Sequence, residues 1–581
     1  MNGNSTPKPE NESANLGRNC EPNRTPLKRE THPRQILVVT LIGSLLLWLA
    51  FPPVGLWPLG WIATVPFMFL VAKPSLTGRR PYRQIWLAGF LYWLGTFYFI
   101  PIPHWALWAG WLVVSFYLSL YLPLFVFAAR VLVHQLRFPV VLAGPMVWVG
   151  IEWLRSNLLT GMAMVCLSHT QYTQPHILQI ADLFGGYTLT FLMAVFAAAL
   201  VPWAHWSACG NLRARWVGAV VAGSVLTAIV MYGHLKLQQN WTVRSDSPNE
   251  QHSQVEPTEA HVALIQGSID TEFPKSEAEQ TVYLQKRDQE YFQLSQRAVR
   301  DWPRLDLMIW PESSFPYPDF SIEGPMAQQN LQVIQQYRVA AKQVWSAVNR
   351  GSKQPIEMLV GTTAYADDSV YNAAILLDRN GETSTRYFKN HRVMFGEYVP
   401  FADWFPLLQE LTPIGRGLTA GTQPASFEVH GVTFAPNICF ESTVPHLIRR
   451  QVNQLTREGN PPDVLVNITN DGWFFGTSCL DLHLACNVFR AVEMRKTNLV
   501  CANTGFSAHI DPHGKILQQG PRRDTATMRA LVSRLENTNS LYQNVGDVPV
   551  MIIGLGALGL GLLIGWFRLC IRSPKRTMTS N

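Results

Sequence analysis

Long apolar runs separated by short basic segments make up the first 236 residues of the chain. Residues 35–72 and 84–129 contain no Asp, Glu, Lys or Arg, and each run can form two membrane helices of about 20 residues. The proline-containing segments 51–58 and 101–104 predict the turns within these runs. Shorter apolar runs predict further membrane helices at 139–153, 184–203, 216–235 and 548–567. The hydrophobic pattern therefore predicts about eight membrane helices, the last of them after a long polar region.

Lysine and arginine residues set the predicted orientation of these helices. They cluster at 1–34, 73–83, 130–137, 213–215 and 568–576. The alternate loops are nearly bare of positive charge, with only Arg155 between the fifth and sixth helices. Because cytoplasmic loops carry the excess of Lys and Arg, we expect both termini in the cytoplasm and residues 236–547 outside it.

Composition agrees with a membrane protein and argues against a nucleic-acid partner. Charged residues make up 15% of the chain, and the net charge of +7 comes from basic residues that flank apolar runs rather than from a basic–aromatic stripe. Residues 1–34 are polar and lack an apolar run, so they predict a disordered cytoplasmic tail rather than a signal peptide. Residues 568–581 predict a second cytoplasmic tail.

Between residues 260 and 535 the pattern changes to alternating strands and helices. Strands are predicted at 261–267, 305–311, 356–363, 463–469, 499–503 and 507–511, and helices at 278–300, 326–349 and 480–496. The turn residues at 378–381 predict a hairpin, and the continuous apolar run 463–469 is typical of a strand buried on both faces. This order predicts an α/β layered domain.

Three chemically active side chains follow predicted strands in this domain: Glu312, Lys389 and Cys439. A thiolate attacks carbonyl groups well, so a base must remove the thiol proton, and Glu312 is placed to do so. Lys389, with the backbone N–H that follows Cys439, is suited to stabilise an oxyanion. The alternative for Cys439 alone is a buried, inert thiol, since free cysteine is among the most buried residue types. The presence of Glu312 and Lys389 after other predicted strands of the same domain argues against that alternative.

The same residues resemble a known family. A Glu, a Lys and a Cys in this order resemble the nitrilase (carbon–nitrogen hydrolase) superfamily. The segments Lys389-(x)7-Glu397-Tyr-Val-Pro-Phe401, Cys439-Phe-Glu441 and Asn470-Asp-Gly-Trp-Phe474 look like its membrane-bound branch, the apolipoprotein N-acyltransferases. The resemblance covers about residues 35–570. It implies an αββα sandwich, a Glu-Lys-Cys catalytic triad, no cofactor and a location in the cell inner membrane.

The resemblance also implies a two-step exchange. Cys439 takes an acyl chain from a phospholipid as a thioester, and the N-terminal amine of the diacylglyceryl-cysteine of an apolipoprotein then takes it, which predicts ping-pong kinetics. Glu397 and Glu441 are expected to support Lys389 or the incoming amine, with surface solvation as the alternative. Lipid contacts are expected from Phe440, Trp473 and Phe474; the alternative for the loop at 470–475 is that it caps the sandwich. We expect a monomer.

Two other functions stay open. The first is a membrane-anchored amidase of nitrilase type with water as the second substrate, although such an enzyme does not need seven helices before its catalytic domain. The second is a transporter or scaffold whose outer domain only binds, which the presence of Glu312, Lys389 and Cys439 argues against.

Other candidate residues carry weaker signals. The spacing Cys479-(x)3-His483-(x)2-Cys486 suggests zinc, but no fourth ligand of matching spacing is evident, so we expect no metal. Eight cysteines, Cys501 among them, leave the disulfide state open. We expect structural or substrate-contacting roles for the histidines at 391, 446 and 509. Glu152 and Arg155, three residues apart, predict a local ion pair or an anchor for a lipid headgroup or for the outer domain.

Overall fold

The computed structural model describes residues 34–159, 161–204, 212–239, 258–271, 276–321, 331–366, 369–394, 396–399, 404, 417–536 and 539–571. The predicted N-terminal tail lies outside the described residues except for its last residue, and so do residues 572–581. Phe401, the last residue of the motif that begins at Lys389, also lies outside them.

Helices joined by short turns form the described part of residues 34–239. Their bounds are Gln35–Ala50 (α1), Val65–Ala72 (α2), Pro81–Thr96 (α3), Leu107–Ser119 (α4), Tyr121–Gln135 (α5), Val140–Asn157 (α6), Pro175–Leu178 (α7), Ala181–Phe184 (α8), Gly186–Ala199 (α9), Val201–Ala204 (α10) and Leu212–Leu237 (α11). The chain leaves helical structure between α1 and α2 and between α3 and α4, where the proline-containing segments predicted turns. Both predicted turns are therefore confirmed.

Within the described residues, four helical stretches are long and apolar enough to cross a membrane, judged by length and composition: Leu107–Gln135 (α4 with α5), Gly186–Ala204 (α9 with α10), Leu212–Leu237 (α11) and Val548–Arg568. The predicted count of eight is not confirmed. Within residues 35–72, α1 has 16 residues and α2 has 8, because a 3-10 turn at Trp57–Trp61 follows the prolines. Both helices are shorter than the roughly 20 residues that span a bilayer at right angles.

The predicted ion pair between Glu152 and Arg155 is wrong: in the described part of the chain no ion pair joins them. Instead, a Glu152 carboxylate oxygen accepts hydrogen bonds from the indole N–H of Trp148 (3.1 Å) and the backbone N–H of Leu167 (2.8 Å). Arg155 donates to the carbonyl of Val165 at 3.1 Å. Both side chains thus fasten the segment that follows α6, because its backbone groups satisfy buried charges that would otherwise lack partners.

A seven-stranded sheet and a six-stranded sheet form the second half of the fold. The strands are Glu259–Gln266 (β1), Leu307–Ile309 (β2), Asp319–Phe320 (β3), Glu357–Ala366 (β4), Ser369–Leu377 (β5), Thr383–Phe388 (β6), Phe427–Val429 (β7), Val432–Ile438 (β8), Val464–Thr469 (β9), Thr497–Ala502 (β10), Ala508–Ile510 (β11), Ile516–Gln519 (β12) and Ala526–Ser533 (β13). One sheet has the order β13-β1-β2-β4-β5-β6, with β3 also paired to β4, and the other has the order β12-β11-β10-β9-β8-β7. Each sheet is parallel at its centre and antiparallel at its edges.

Helices cover the outer faces of the two sheets. They are Glu277–Asp301 (α12), Leu331–Val348 (α13), Pro445–Arg457 (α14) and Cys479–Met494 (α15). Two helices follow the last strand: Leu541–Val545 (α16), and Val548–Ile571 (α17), which packs on α5 and α6. Alternate residues of the inner strands, such as Val262, Leu264, Val464 and Val466, form one apolar core between the sheets. The outer face of the first sheet packs on α12 and α13, and that of the second packs on α14 and α15. The observed layers are therefore the predicted αββα sandwich, and β9 is buried throughout, as its apolar run predicts.

The sandwich is docked on the helical region through α15, which is buried on every side. Residues of α15 share one apolar core with the helices of the first half of the chain. Beside this core, Asp182 of α8 binds Arg495 at 2.7 Å, Lys236 at 3.1 Å and the hydroxyl of Tyr232 at 2.5 Å. This junction joins the end of α15 to α8 and α11 through one buried carboxylate.

Candidate active site

Glu312 lies on a tight turn that follows β2. The turn passes over β4 at Gly361, where an added Cβ would come within 2.5 Å of the Glu312 Cα and of the Pro311 carbonyl oxygen. The backbone N–H groups of Ser314 and Phe315 both donate to the Gly361 carbonyl, at 3.1 and 3.0 Å. A side chain at position 361 would displace this turn, so the glycine lets the backbone hold the buried Glu312 carboxylate at the sheet edge.

Lys389 directly follows β6, and its ammonium group is buried between two carboxylates. Its Nζ lies 3.1 Å from Oε1 of Glu312 and 2.8 Å from Oε1 of Glu397. The side-chain amide of Asn372 in β5 donates to the same two oxygens, at 2.7 and 2.9 Å. Burial alone would lower the pKa of Lys389, but Glu312, Cys439 and Glu397 together outweigh it and raise the pKa well above its usual value. Lys389 is therefore a fixed positive charge.

Cys439 follows β8 directly, in line with its predicted place after a strand, and begins a 3-10 turn. Its φ of 53° is in the left-handed region, which is uncommon for a residue with a side chain. The side chain is partly buried. Burial and then the Glu312 carboxylate raise the pKa of the Cys439 thiol well above its usual value, while Lys389 opposes that rise. The resting group is therefore a neutral thiol, and a base would have to remove its proton to give a nucleophilic thiolate.

Glu397 lies among hydrogen-bond donors rather than in solvent. One of its oxygens faces Lys389 and Asn372, and the other accepts the backbone N–H of Val393 at 2.8 Å. Burial alone would raise the pKa of Glu397, but Lys389 outweighs it and holds the pKa below its usual value. Two carboxylates thus share one ammonium group, and the surface-solvation alternative for Glu397 is wrong.

Glu441 is fully buried and braces the turn that carries Cys439. One oxygen accepts the backbone N–H groups of Asn390 (2.6 Å) and His391 (2.9 Å). The other accepts the backbone N–H of Ile438 (2.7 Å) and the hydroxyl of Tyr387 (2.8 Å). Burial raises the pKa of Glu441, and the N–H donors oppose that rise. The surface-solvation alternative is therefore also wrong for Glu441, because this buried carboxylate joins the segment after Lys389 to the turn that carries Cys439.

The predicted lipid-contacting aromatic residues are in three different settings. Phe440 stacks on His391 with ring centroids 6.3 Å apart. Phe474 packs edge to face on Phe99, which follows α3, at 5.5 Å. Trp473 has 37% of its surface exposed. Phe474 therefore joins the loop after β9 to the helical region, whereas part of the Trp473 ring is exposed at the molecular surface.

The structure adds residues to the site that the sequence pattern did not single out. Asn372 bridges the two carboxylates, and His483 lies behind Cys439, with its Nε2 3.1 Å from the Cys439 carbonyl oxygen. His483 is bonded to Asp471 and Ser442 rather than placed as a metal ligand. The motif Asn470-Asp-Gly-Trp contains Asp471, and the zinc-like spacing contains His483. In the sequence, the first suggested a lipid-contacting loop and the second a metal site, so neither indicated a contact with the Cys439 turn. Cys479, Cys486 and Cys501 are free thiols.

Sequence comparisons find relatives that cover nearly the whole chain. Residues 43–199 match the apolipoprotein N-acyltransferase N-terminal domain, and residues 261–536 match the carbon-nitrogen hydrolase family. The apolipoprotein N-acyltransferase of Geobacter metallireducens is 30% identical, with 89% of this chain and 92% of the relative covered. That of Rhodopirellula baltica is 29% identical, with 92% and 98% covered, and that of Vibrio parahaemolyticus is 26% identical, with 89% and 94% covered.

Among solved structures, Saccharomyces cerevisiae Nit3, a member of branch 10 of the nitrilase superfamily, matches 49% of this chain and 94% of its own. The identity is 17% and the TM-score is 0.33, so the family assignment rests on the sequence relatives. With both domain types in order and a 30% identical relative covered over 92% of its length, the chain belongs to the apolipoprotein N-acyltransferase family.

Proposed function

We propose that this chain is a phospholipid:apolipoprotein N-acyltransferase that carries the acyl group as a thioester on Cys439. The observation that carries the proposal is the arrangement of Glu312, Lys389 and Cys439 at one edge of a sandwich that is docked on apolar helices. An enzyme that used a soluble acyl donor would not need membrane-crossing segments beside these residues. An enzyme that uses a phospholipid does need them, because the ester group of a phospholipid stays at the membrane surface.

In the first step Glu312 accepts the thiol proton while the sulfur attacks the ester carbonyl of the phospholipid. The oxyanion that forms is stabilised by Lys389 Nζ and the backbone N–H of Phe440, and one such donor is typically worth about 3 kcal/mol. The ester C–O bond then breaks, and the leaving alkoxide takes the proton from Glu312. The products are a lysophospholipid and the acyl thioester of Cys439.

In the second step the uncharged N-terminal amine of diacylglyceryl-cysteine attacks the thioester. Glu312 accepts a proton from the attacking nitrogen, the same two donors stabilise the second oxyanion, and the C–S bond breaks. The proton returns from Glu312 to the sulfur. The amide product leaves and the thiol is regenerated, so the two substrates react in turn at one site.

The proposed placement puts residues 236–547 on the extracytoplasmic side of the inner membrane and both termini in the cytoplasm. The Lys and Arg distribution supports it. The proposed divisions are a cytoplasmic tail at 1–34, a membrane region at 35–236, a catalytic domain at 260–535, a last membrane helix at 548–567 and a second tail at 568–581. In this arrangement the sandwich is tethered at both ends, and we propose that one copy of the chain is sufficient for the reaction.

The test uses the purified full-length protein in phospholipid nanodiscs with a radiolabelled acyl chain. We expect hydroxylamine-sensitive label on the wild type and on Cys479→Ser, and none on Cys439→Ser. A synthetic diacylglyceryl-cysteine peptide with a free amine should then remove the label, whereas its N-acetylated counterpart should not. Release of free fatty acid at the same rate without any peptide would favour an amidase-like hydrolase, and label on another cysteine would overturn the assignment.

A further inference from the structure

The carbonyl group of Cys439 is surrounded by hydrogen-bond donors. The side-chain amide of Asn467 in β9 donates to it at 3.0 Å, and the hydroxyl of Ser442 at 3.3 Å. Nε2 of His483 in α15 lies 3.1 Å from the same oxygen and 2.9 Å from the Ser442 hydroxyl. All three side chains are buried. One backbone carbonyl thus has partners from two separate structural elements and from its own turn.

The other ring nitrogen of His483, Nδ1, also has a buried partner. Nδ1 lies 3.1 Å from the carboxylate of Asp471, which also accepts the hydroxyl of Thr469 at 3.1 Å. A carboxylate and a carbonyl can only accept, so the form of His483 that donates to both of them is the one protonated at both ring nitrogens. Burial alone would lower the pKa of His483, but Asp471 outweighs it and raises the pKa above its usual value. A buried histidine–carboxylate pair therefore faces the Cys439 carbonyl.

The orientation of this carbonyl also determines the direction of the next N–H. The Cys439 carbonyl and the Phe440 N–H belong to one planar trans peptide and point in opposite directions. Cys439 adopts a left-handed φ of 53°, and such a backbone persists only where surrounding contacts hold it. Donors that hold the carbonyl therefore also fix the direction of the Phe440 N–H, which points away from them.

We propose that His483, backed by Asp471, is a positioning residue that holds the Cys439–Phe440 peptide so that the Phe440 N–H meets the oxyanion. The inference rests on the proposed function only for the identity of the lipid. It concerns any reaction at Cys439 that forms a tetrahedral oxyanion. Alkylation of the same sulfur forms no oxyanion, so its rate does not depend on the direction of that N–H.

The test compares two small reagents on the full-length protein. p-Nitrophenyl acetate acetylates the sulfur through an oxyanion, with loss of p-nitrophenol and formation of a thioester, whereas iodoacetamide alkylates it with loss of iodide. For His483→Ala we expect acetylation to fall at least tenfold, toward the 10²–10³-fold loss that follows removal of an oxyanion donor. Alkylation should stay within about threefold of the wild type, because nothing in that step uses the N–H.

His483→Gln serves as the conservative variant, because its amide nitrogen can replace Nε2 as a donor to the carbonyl. It should recover at least tenfold of the acetylation rate lost in His483→Ala. His509→Ala is the matched control, since His509 is also buried but lies in β11. Equal losses of acetylation and alkylation in both His483 variants would mean a merely structural histidine. Wild-type acetylation in His483→Ala would overturn the inference as well.

The outcome is separable from the lipid reaction. A wild-type protein that reacts with p-nitrophenyl acetate but forms no thioester with phospholipid would overturn the proposed function and leave the positioning role supported by the variants. If the wild-type protein forms the lipid thioester while His483→Ala keeps the wild-type acetylation rate, the proposed function is supported and the positioning role is overturned.

Discussion

Replacing Glu312 with glutamine should change two rates at Cys439 in opposite directions. Three donors face the two oxygens of Glu312: Lys389 Nζ at 3.1 Å, the Asn372 amide at 2.7 Å and the Asn470 N–H at 2.9 Å. A glutamine keeps the shape but has one oxygen, so its NH2 group must face a donor. It also has no site for a proton at neutral pH. In the proposed mechanism the acylation step therefore loses its base.

The size of the loss follows from what Glu312 supplies. General-base catalysis typically contributes about 10²–10⁴-fold. We expect thioester formation from phospholipid to fall about 10³-fold, which corresponds to about 4 kcal/mol at 1.36 kcal/mol per tenfold change in rate. Alkylation by iodoacetamide should not fall with it. The Glu312 charge raises the pKa of the Cys439 thiol, so its removal increases the thiolate fraction at a given pH.

The assay measures both rates on each variant between pH 6 and 10. For the wild type, the raised pKa predicts an alkylation rate that is low at neutral pH and still rising above pH 9, because the thiolate is the reactive form. For Glu312→Gln, the same curve should move to lower pH while acylation is lost. Glu397→Gln is the matched control: Glu397 also binds Lys389, but it is not among the main causes of the raised pKa of the Cys439 thiol. Full acylation in Glu312→Gln would show that Glu312 is not the base, and a parallel loss of alkylation would show a structural role.

Three further predictions address the lipid contact, the domain junction and the topology. Trp473→Ala should weaken acyl transfer from phospholipid and leave iodoacetamide alkylation of Cys439 unchanged, because Trp473 offers exposed apolar area and no proton-transfer group; loss of both rates would make the loop structural. Asp182→Asn should reduce the free energy of unfolding by about 3 kcal/mol, because it leaves the buried Arg495 without its carboxylate partner. The control Glu382→Gln, which breaks the exposed pair with Lys342, should reduce it by less than about 1 kcal/mol. Thermal denaturation in detergent compares the two variants, and equal effects would contradict a stabilising role for the Asp182 junction. A membrane-impermeant amine reagent should label lysines of residues 236–547 in intact cells, and labelling only after permeabilisation would reverse the proposed topology.

Local patterns predicted those parts of the molecule that depend on nearby residues. The buried strand β9 follows from its continuous apolar run, and the hairpin between β5 and β6 follows from turn residues that close it, with Gly381 N–H bonded to the Asp378 carbonyl at 2.9 Å. Glu312, Lys389 and Cys439 were found because each follows a recognisable strand. These signals need no knowledge of long-range packing.

Features that depend on distant partners were missed or misjudged. Asn372 lies within β5, and its bonds to Glu312 and Glu397 span 60 and 25 residues, so no local pattern marks it. His483 shares a helix face with cysteines, which suggested a metal, whereas its partners come from other elements. The ion pair expected within α6 did not form because backbone groups of the following segment lie closer to both charges.

The position of α15 explains how the membrane region and the chemistry depend on each other. One side of this helix shares an apolar core with the helices of the first half of the chain, and the same helix carries His483 to the Cys439 carbonyl. If the sandwich were separated from that region, the outer side of α15 would face water, and burial of its apolar residues would no longer stabilise the helix. His483 would then lose the fixed backbone that holds it against Asp471. If His483 positions the oxyanion site as proposed, the membrane region also supports that site, because contact with it fixes the helix that carries His483.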